Sequence, residues 1–81
     1  MTITVLLFAQ ARERAGLARS TLELPEGSRV SDALAALERE HPALAALWPH
    51  LALAVDRRLA RPEAPLAHGA ELALLPPVSG G

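Results

Sequence analysis

Thr2-Ile3-Thr4-Val5-Leu6-Leu7-Phe8-Ala9 stands near the start of the chain. The stretch is β-branched and apolar, holds neither Gly nor Pro, and reads as a strand. A two-residue period puts Ile3, Val5 and Leu7 on one face and Thr2, Thr4, Leu6 and Phe8 on the other. The first face is apolar throughout and requires a covering layer. The second begins polar and turns apolar toward its end.

The elements that follow supply the cover. Gln10 to Ala15 predicts a short helix, with Gly16 as its stop. Ala18 to Leu24 predicts a second strand, antiparallel to the first across a widened, helical connection. Pro25-Glu26-Gly27 is a turn, and Ser28 is the expected N-cap of the next helix. There Val30, Ala33, Leu34 and Leu37 recur at i, i+3, i+4 and i+7, the spacing of one buried helix face. His41-Pro42 stops that helix, and Ala43 to Trp48 adds one short helical turn before Pro49. Leu51 to Val55 predicts a third strand, Asp56-Arg57-Arg58 a turn, and Leu59-Ala60 a short return. Glu71 to Leu75 is the last strand, with Leu72 and Leu74 on one face and Ala73 and Leu75 on the other. Pro76-Pro77 ends it, since proline donates nothing to a ladder. The order predicts an α+β roll of the ubiquitin-like β-grasp kind. It has a four- to five-stranded mixed sheet packed on one main helix, with the second sheet face left open. Residues 1–75 form the expected single domain and 76–81 an extended tail.

Size and composition narrow the possible functions. The chain has 81 residues and a formal net charge of −1. That balance lacks the basic excess of a nucleic-acid binder. There is no Cys, hence no disulfide framework, thiolate metal site or catalytic thiol. So short a chain leaves little interior for a deep pocket, which argues against a self-contained enzyme. Ile3 to Ala9 is too short to span a bilayer and has no basic segment before it. The cytosol is the expected compartment, with no membrane partner.

Chemistry is expected at the end of the sequence, Pro76-Pro77-Val78-Ser79-Gly80-Gly81. A chance Gly-Gly in that place has a frequency of about 0.5% at average glycine usage. Gly80 and Gly81 offer no Cβ to obstruct a narrow channel. Six extended residues reach about 20 Å, enough for a carboxylate to enter a partner's active site while the folded part docks outside. A carboxylate is inert to nucleophiles until activated, most simply as an acyl-adenylate. Phe8 and Leu75, with Leu59 on the short return, form an apolar patch on the open face and a candidate docking surface.

These features resemble the small, sulfur-carrying subunits of molybdopterin synthase, within the ubiquitin-like MoaD/ThiS superfamily. The resemblance rests on Leu7-Phe8-Ala9-Gln10-Ala11-Arg12-Glu13-Arg14-Ala15-Gly16 and on Pro76-Pro77-Val78-Ser79-Gly80-Gly81. Gly27-Ser28-Arg29-Val30-Ser31-Asp32-Ala33-Leu34 and Leu53-Ala54-Val55 fit as well. It implies that a ubiquitin-activating-type adenylyltransferase, using ATP, adenylates Gly81. A persulfide sulfur donor protein then replaces AMP to leave a C-terminal thiocarboxylate. The tail of Pro76, Pro77, Val78, Ser79 and Gly80 inserts into the large synthase subunit. Sulfur passes to cyclic pyranopterin monophosphate and forms the molybdopterin dithiolene. The implied assembly is a heterotetramer, with Phe8, Leu59 and Leu75 as partner contacts and no cofactor held permanently. The chain departs from the family's common pattern at Leu75, often aromatic, at Asp56, often Asn, and at Ala70, often acidic.

Two other functions share parts of this pattern. One is a carrier for thiazole or tRNA thiolation, or a ubiquitin-like protein modifier. The other is a β-grasp interaction module with an incidental Gly-Gly. His41, His50 and His68 have no metal-ligand spacing, Ser79 has no neighbouring base, and no glycine set forms a phosphate loop. No metal site is expected, and Trp48 reads as a lid over the core.

Overall fold

The computed structural model describes residues 1–76. Pro77, Val78, Ser79, Gly80 and Gly81, most of the expected tail, lie outside the described residues.

The opening stretch forms β1 (Thr2–Leu7), and its alternation holds residue by residue, with Ile3, Val5 and Leu7 buried between half-buried neighbours. Helix α1 (Ala9–Ala15) follows and ends at Gly16, whose φ of 77° is the left-handed conformation that glycine adopts without steric cost. Strand β2 (Arg19–Glu23) returns antiparallel to β1. Helix α2 (Val30–Glu40) crosses the sheet and buries Val30, Ala33 and Leu37 completely. A 3₁₀ segment, Pro42–His50, leads to β3 (Ala52–Val55), β4 (Arg58–Leu59) and β5 (Glu71–Leu75). The sheet order is β2-β1-β5-β3-β4, with β1 and β5 parallel and the other pairs antiparallel. Five strands and one main helix make the expected roll.

Three local expectations need correction. Ser28 is not the N-cap of α2; Arg29 is. The Ser28 hydroxyl donates to the Pro25 carbonyl at 2.7 Å, and the helix start is capped from a distant loop. Val30 and Ser31 donate their N–H groups to the carbonyls of Ala64 and Pro62, each at 2.9 Å. The Arg29 N–H is taken by the Asp32 carboxylate at 2.8 Å. With these orphan donors satisfied, no serine cap is needed.

The helical turn after His41 runs through Pro49 to His50 as 3₁₀. Its three-residue repeat stacks Leu44 and Leu47 on the core side, and both are buried. The third strand starts at Ala52 rather than Leu51, because the Leu51 N–H closes the 3₁₀ segment onto the Trp48 carbonyl. Trp48 is half-buried against the core, and its indole N–H donates to Glu38 at 2.8 Å.

The core lies between the sheet and α2. Ile3, Leu7, Leu37, Leu44, Leu72 and Leu74 are its large, fully buried side chains, each contributing about 1.5–3 kcal/mol by removal from water. Leu37, wholly inaccessible at the centre of the helix face, tests this layer. Leu37→Ala is expected to lower unfolding stability by about 2–5 kcal/mol in chemical denaturation.

Candidate docking face

Helix α2 covers one face of the sheet, and the other face gathers the apolar side chains. The strand registers define one row across it. Arg19 pairs with Leu6, Leu6 with Ala73, Ala73 with Ala54, and Ala54 with Leu59. Leu75, paired with Ala52, belongs to the adjacent row. Phe8 continues β1 by one extended residue, its N–H donating to the Leu74 carbonyl at 3.2 Å. The structure therefore brings Phe8, Leu59 and Leu75 to one face: alternation predicts this for Phe8 and Leu75, and the pairing of Leu59 with Ala54 adds the third. Phe8 is 42% exposed and Leu59 76%, the two large apolar side chains most open to water among the described residues. Leu75 is half-buried.

Small residues turn this face into a hollow. Ala54 and Ala73 form its floor, while Leu6, Phe8, Leu59 and Leu75 stand around them. The space is about 410 Å³, and Arg57 and Glu71 add one charge of each sign to its lining. The sequence pattern already set Leu6 and Ala73 on this face. It did not reveal Ala54, Arg57 or Glu71, whose places follow from pairing between strands distant in sequence.

The turn beside the hollow is fixed by a clamp. Asp56 and Arg57 have φ of 50° and 71°, so β3 and β4 are joined by a two-residue turn of the left-handed kind that suits a twisted hairpin. Asp56 exchanges two hydrogen bonds with Glu71. Its N–H donates to the Glu71 carbonyl at 2.9 Å, and its carboxylate receives the Glu71 N–H at 3.0 Å. The clamp ties the turn that carries Arg57 and Leu59 to the start of β5.

Pro76, the last described residue, is exposed directly after β5. With Ala9, Gln10 and Leu51 it lines a second, smaller hollow of about 270 Å³. Gly80 and Gly81 lie outside the described residues. Among the described residues, no three acidic or histidine side chains gather in a way that would hold a metal ion, and no helix is long and apolar enough to cross a membrane.

A model of the ThiS family matches residues 5–81. The chain belongs to the ThiS family. Within it, the chain is 40% identical to the molybdopterin synthase sulfur carrier subunit of Chlamydomonas reinhardtii, over the whole of both chains. It is 39% identical to the protein of that name from Arabidopsis thaliana, covering 98% of this chain and 82% of the plant protein. The fold is shared with crystalline SAMP1 of Haloferax volcanii, a small archaeal modifier protein, at a TM-score of 0.89 and 34% identity over all of both chains. This ThiS-family chain thus combines a β-grasp body with an exposed apolar face next to the strand that ends at Leu75.

Two substitutions test how the face is built. Phe8→Asp is expected to change stability by about 1 kcal/mol or less, because Phe8 is 42% exposed and stands at the N-cap of α1, a position that suits aspartate. In calorimetric titration it is also expected to weaken the binding of a protein that docks on this face, and unchanged affinity would remove Phe8 from the candidate surface. Asp56→Ala, which removes the clamp and leaves Ala in a left-handed turn, is expected to cost about 1–2 kcal/mol in thermal unfolding, while Asp56→Asn costs less.

Proposed function

We propose that this chain is the cytoplasmic sulfur-carrier subunit of a molybdopterin synthase and that Gly81 is its working residue. One observation carries the proposal: 40% identity, spanning both chains entirely, to a protein named for that role. The exposed apolar face beside β5 supports it, because a carrier has to be held by a partner while its end reacts. In this reading residues 1–75 are the docking body and Pro76, Pro77, Val78, Ser79 and Gly80 lead Gly81 into the partner. Phe8, Leu59 and Leu75 make the contact.

The chemistry follows from the inertness of a carboxylate. An adenylyltransferase joins the Gly81 carboxylate to AMP from ATP and releases pyrophosphate. The terminal sulfur of a protein persulfide attacks the acyl carbon and expels AMP. A thiol then cleaves the resulting acyl disulfide and leaves the thiocarboxylate. Docked on the large subunit, the carrier gives that sulfur to cyclic pyranopterin monophosphate. A dithiolene needs two sulfurs, so two charged carriers are consumed per product, which suits a heterotetramer of two carriers on two large subunits. The carrier itself performs no catalysis.

The likeness to SAMP1 favours one second reading, a protein modifier whose activated Gly81 is passed to an amine. The two readings diverge at the acceptor. Intact mass of the chain purified from its own cells is expected to show a fraction with one oxygen replaced by sulfur. Reconstitution with the large subunit should convert the pterin precursor. Deleting Gly81 is expected to abolish that conversion. Cofactor synthesis that survives the deletion would sink the carrier role, and amide-linked conjugates without any thiocarboxylate would favour the modifier.

A further inference from the structure

Strand β2 is an end of the sheet, and its free edge is defined by the ladder on its other side. Met1 and Leu24 exchange two hydrogen bonds, at 2.7 and 2.8 Å, and the Leu7 N–H donates to the Ala18 carbonyl at 2.9 Å. Bonded and non-bonded pairs alternate in an antiparallel ladder. The bonded pairs between these two are therefore Ile3 with Leu22 and Val5 with Ser20. It follows that Arg19, Thr21 and Glu23 turn their N–H and C=O groups away from β1, outward from the sheet. The same three residues carry a positive, a neutral and a negative side chain, all directed to the open face.

We propose that this edge pairs with the same edge of a second copy of the chain, antiparallel and centred on Thr21. About that centre Arg19 meets Glu23 of the second copy, Thr21 meets its own counterpart, and Glu23 meets Arg19. Each of the three is a bonded pair, so the backbone groups and the charges select one register. A parallel arrangement sets Arg19 against Arg19. A one-residue slip presents Ser20 and Leu22, whose backbone groups are already used by β1. A two-residue slip loses both Arg–Glu pairs. Edge strands commonly carry charge to repel other strands, but charges of opposite sign placed symmetrically about a centre attract an inverted copy.

Two further features agree with this pairing. The Glu23 carboxylate receives the Thr2 hydroxyl on the same face, which orients it. The groove behind the edge also carries Arg39 and Glu40 of α2, again one charge of each sign. The opposite edge, β4, has only two residues and offers no comparable ladder. The dimer leaves the hollow around Phe8, Leu59 and Leu75 uncovered, so it stands or falls independently of the carrier proposal.

The full chain should show a monomer–dimer equilibrium in sedimentation velocity, with a dissociation constant on the order of 10⁻⁴ M, as befits a small polar interface. Hydrogen exchange should slow with concentration at the amides of Arg19, Thr21 and Glu23. R19E and E23R are each expected to raise the dissociation constant about tenfold or more. An equimolar mixture of the two single variants should recover association, since each then supplies the charges the other lacks. That recovery separates pairing from a folding defect. A chain that stays monomeric at about 1 mM, self-association unmoved by R19E, or a dimer abolished by Phe8→Asp alone would each overturn the proposal.

Discussion

The parallel ladder between Thr4–Leu7 and Glu71–Leu74 joins two segments nearly the whole chain apart. Everything else is arranged around it. With β1 and β5 side by side, Val5, Leu7, Leu72 and Leu74 present a single apolar surface to α2, and all four are buried almost completely. The same pairing sets Leu6 against Ala73 on the opposite face. Because side chains alternate strictly, one register decides both faces. Slipping β5 by a residue would expose Leu72 and Leu74 while burying Ala73 and Leu75. The core thus specifies the candidate docking face, although the two share no side chain.

That face is held open in spite of an energetic incentive to cover it. Leu59 and Phe8 leave apolar surface in water, at about 25 cal/mol for each Å². A third layer would bury it, but among the described residues the helical elements α1, α2 and the 3₁₀ segment all turn to the core side, with Ala11, Leu37, Leu44 and Leu47. Small residues complete the design. Ala54 and Ala73 lower the floor between larger neighbours, which leaves a hollow that could admit an apolar side chain in the proposed docking. The Asp56–Glu71 clamp then fixes the turn at the border of the hollow, so the proposed docking would require little ordering there.

Much of this was legible in the residues themselves. Alternation in Thr2–Ala9 and in Glu71–Leu75 assigned both faces of the central strands, and the spacing of Val30, Ala33 and Leu37 assigned the buried helix face. Phe8 and Leu75 came to one surface for the same reason, and Leu59 joined them through the pairing of β3 with β4. Two of the misses share a physical cause, a deciding partner remote in sequence, while the third, at Leu51, was settled three residues away. Ser28 has the chemistry of an N-cap, yet the carbonyls of Pro62 and Ala64 reach the helix start first. Leu51 has strand character, yet its N–H is committed to Trp48. Arg57 and Glu71 border the hollow only because β3 pairs with both β4 and β5. Local propensity cannot contain such information. Gly80 and Gly81 pose the reverse case, since their proposed role rests on sequence and chemistry, with no described geometry.

Composition acquires a chemical sense beside the proposed carrier role. An acyl-adenylate reacts with thiols and amines, and the carrier's own side chains would be the nearest supply. The chain has no Cys and no Lys; its side-chain positive charge outside the histidines rests on eight Arg. Guanidinium remains protonated at any physiological pH and is not a nucleophile there. Arg therefore supplies charge to the rim of the hollow and to the β2 edge without offering an acceptor for the end that the proposed role would activate. Ser and Thr hydroxyls are poor nucleophiles unless a base activates them. Asp56 and Asp32, the aspartates of the described loops and helix start, spend their carboxylates on backbone N–H groups. A body built this way can carry a reactive acyl group at its end because its own side chains hold no thiol or amine to consume it.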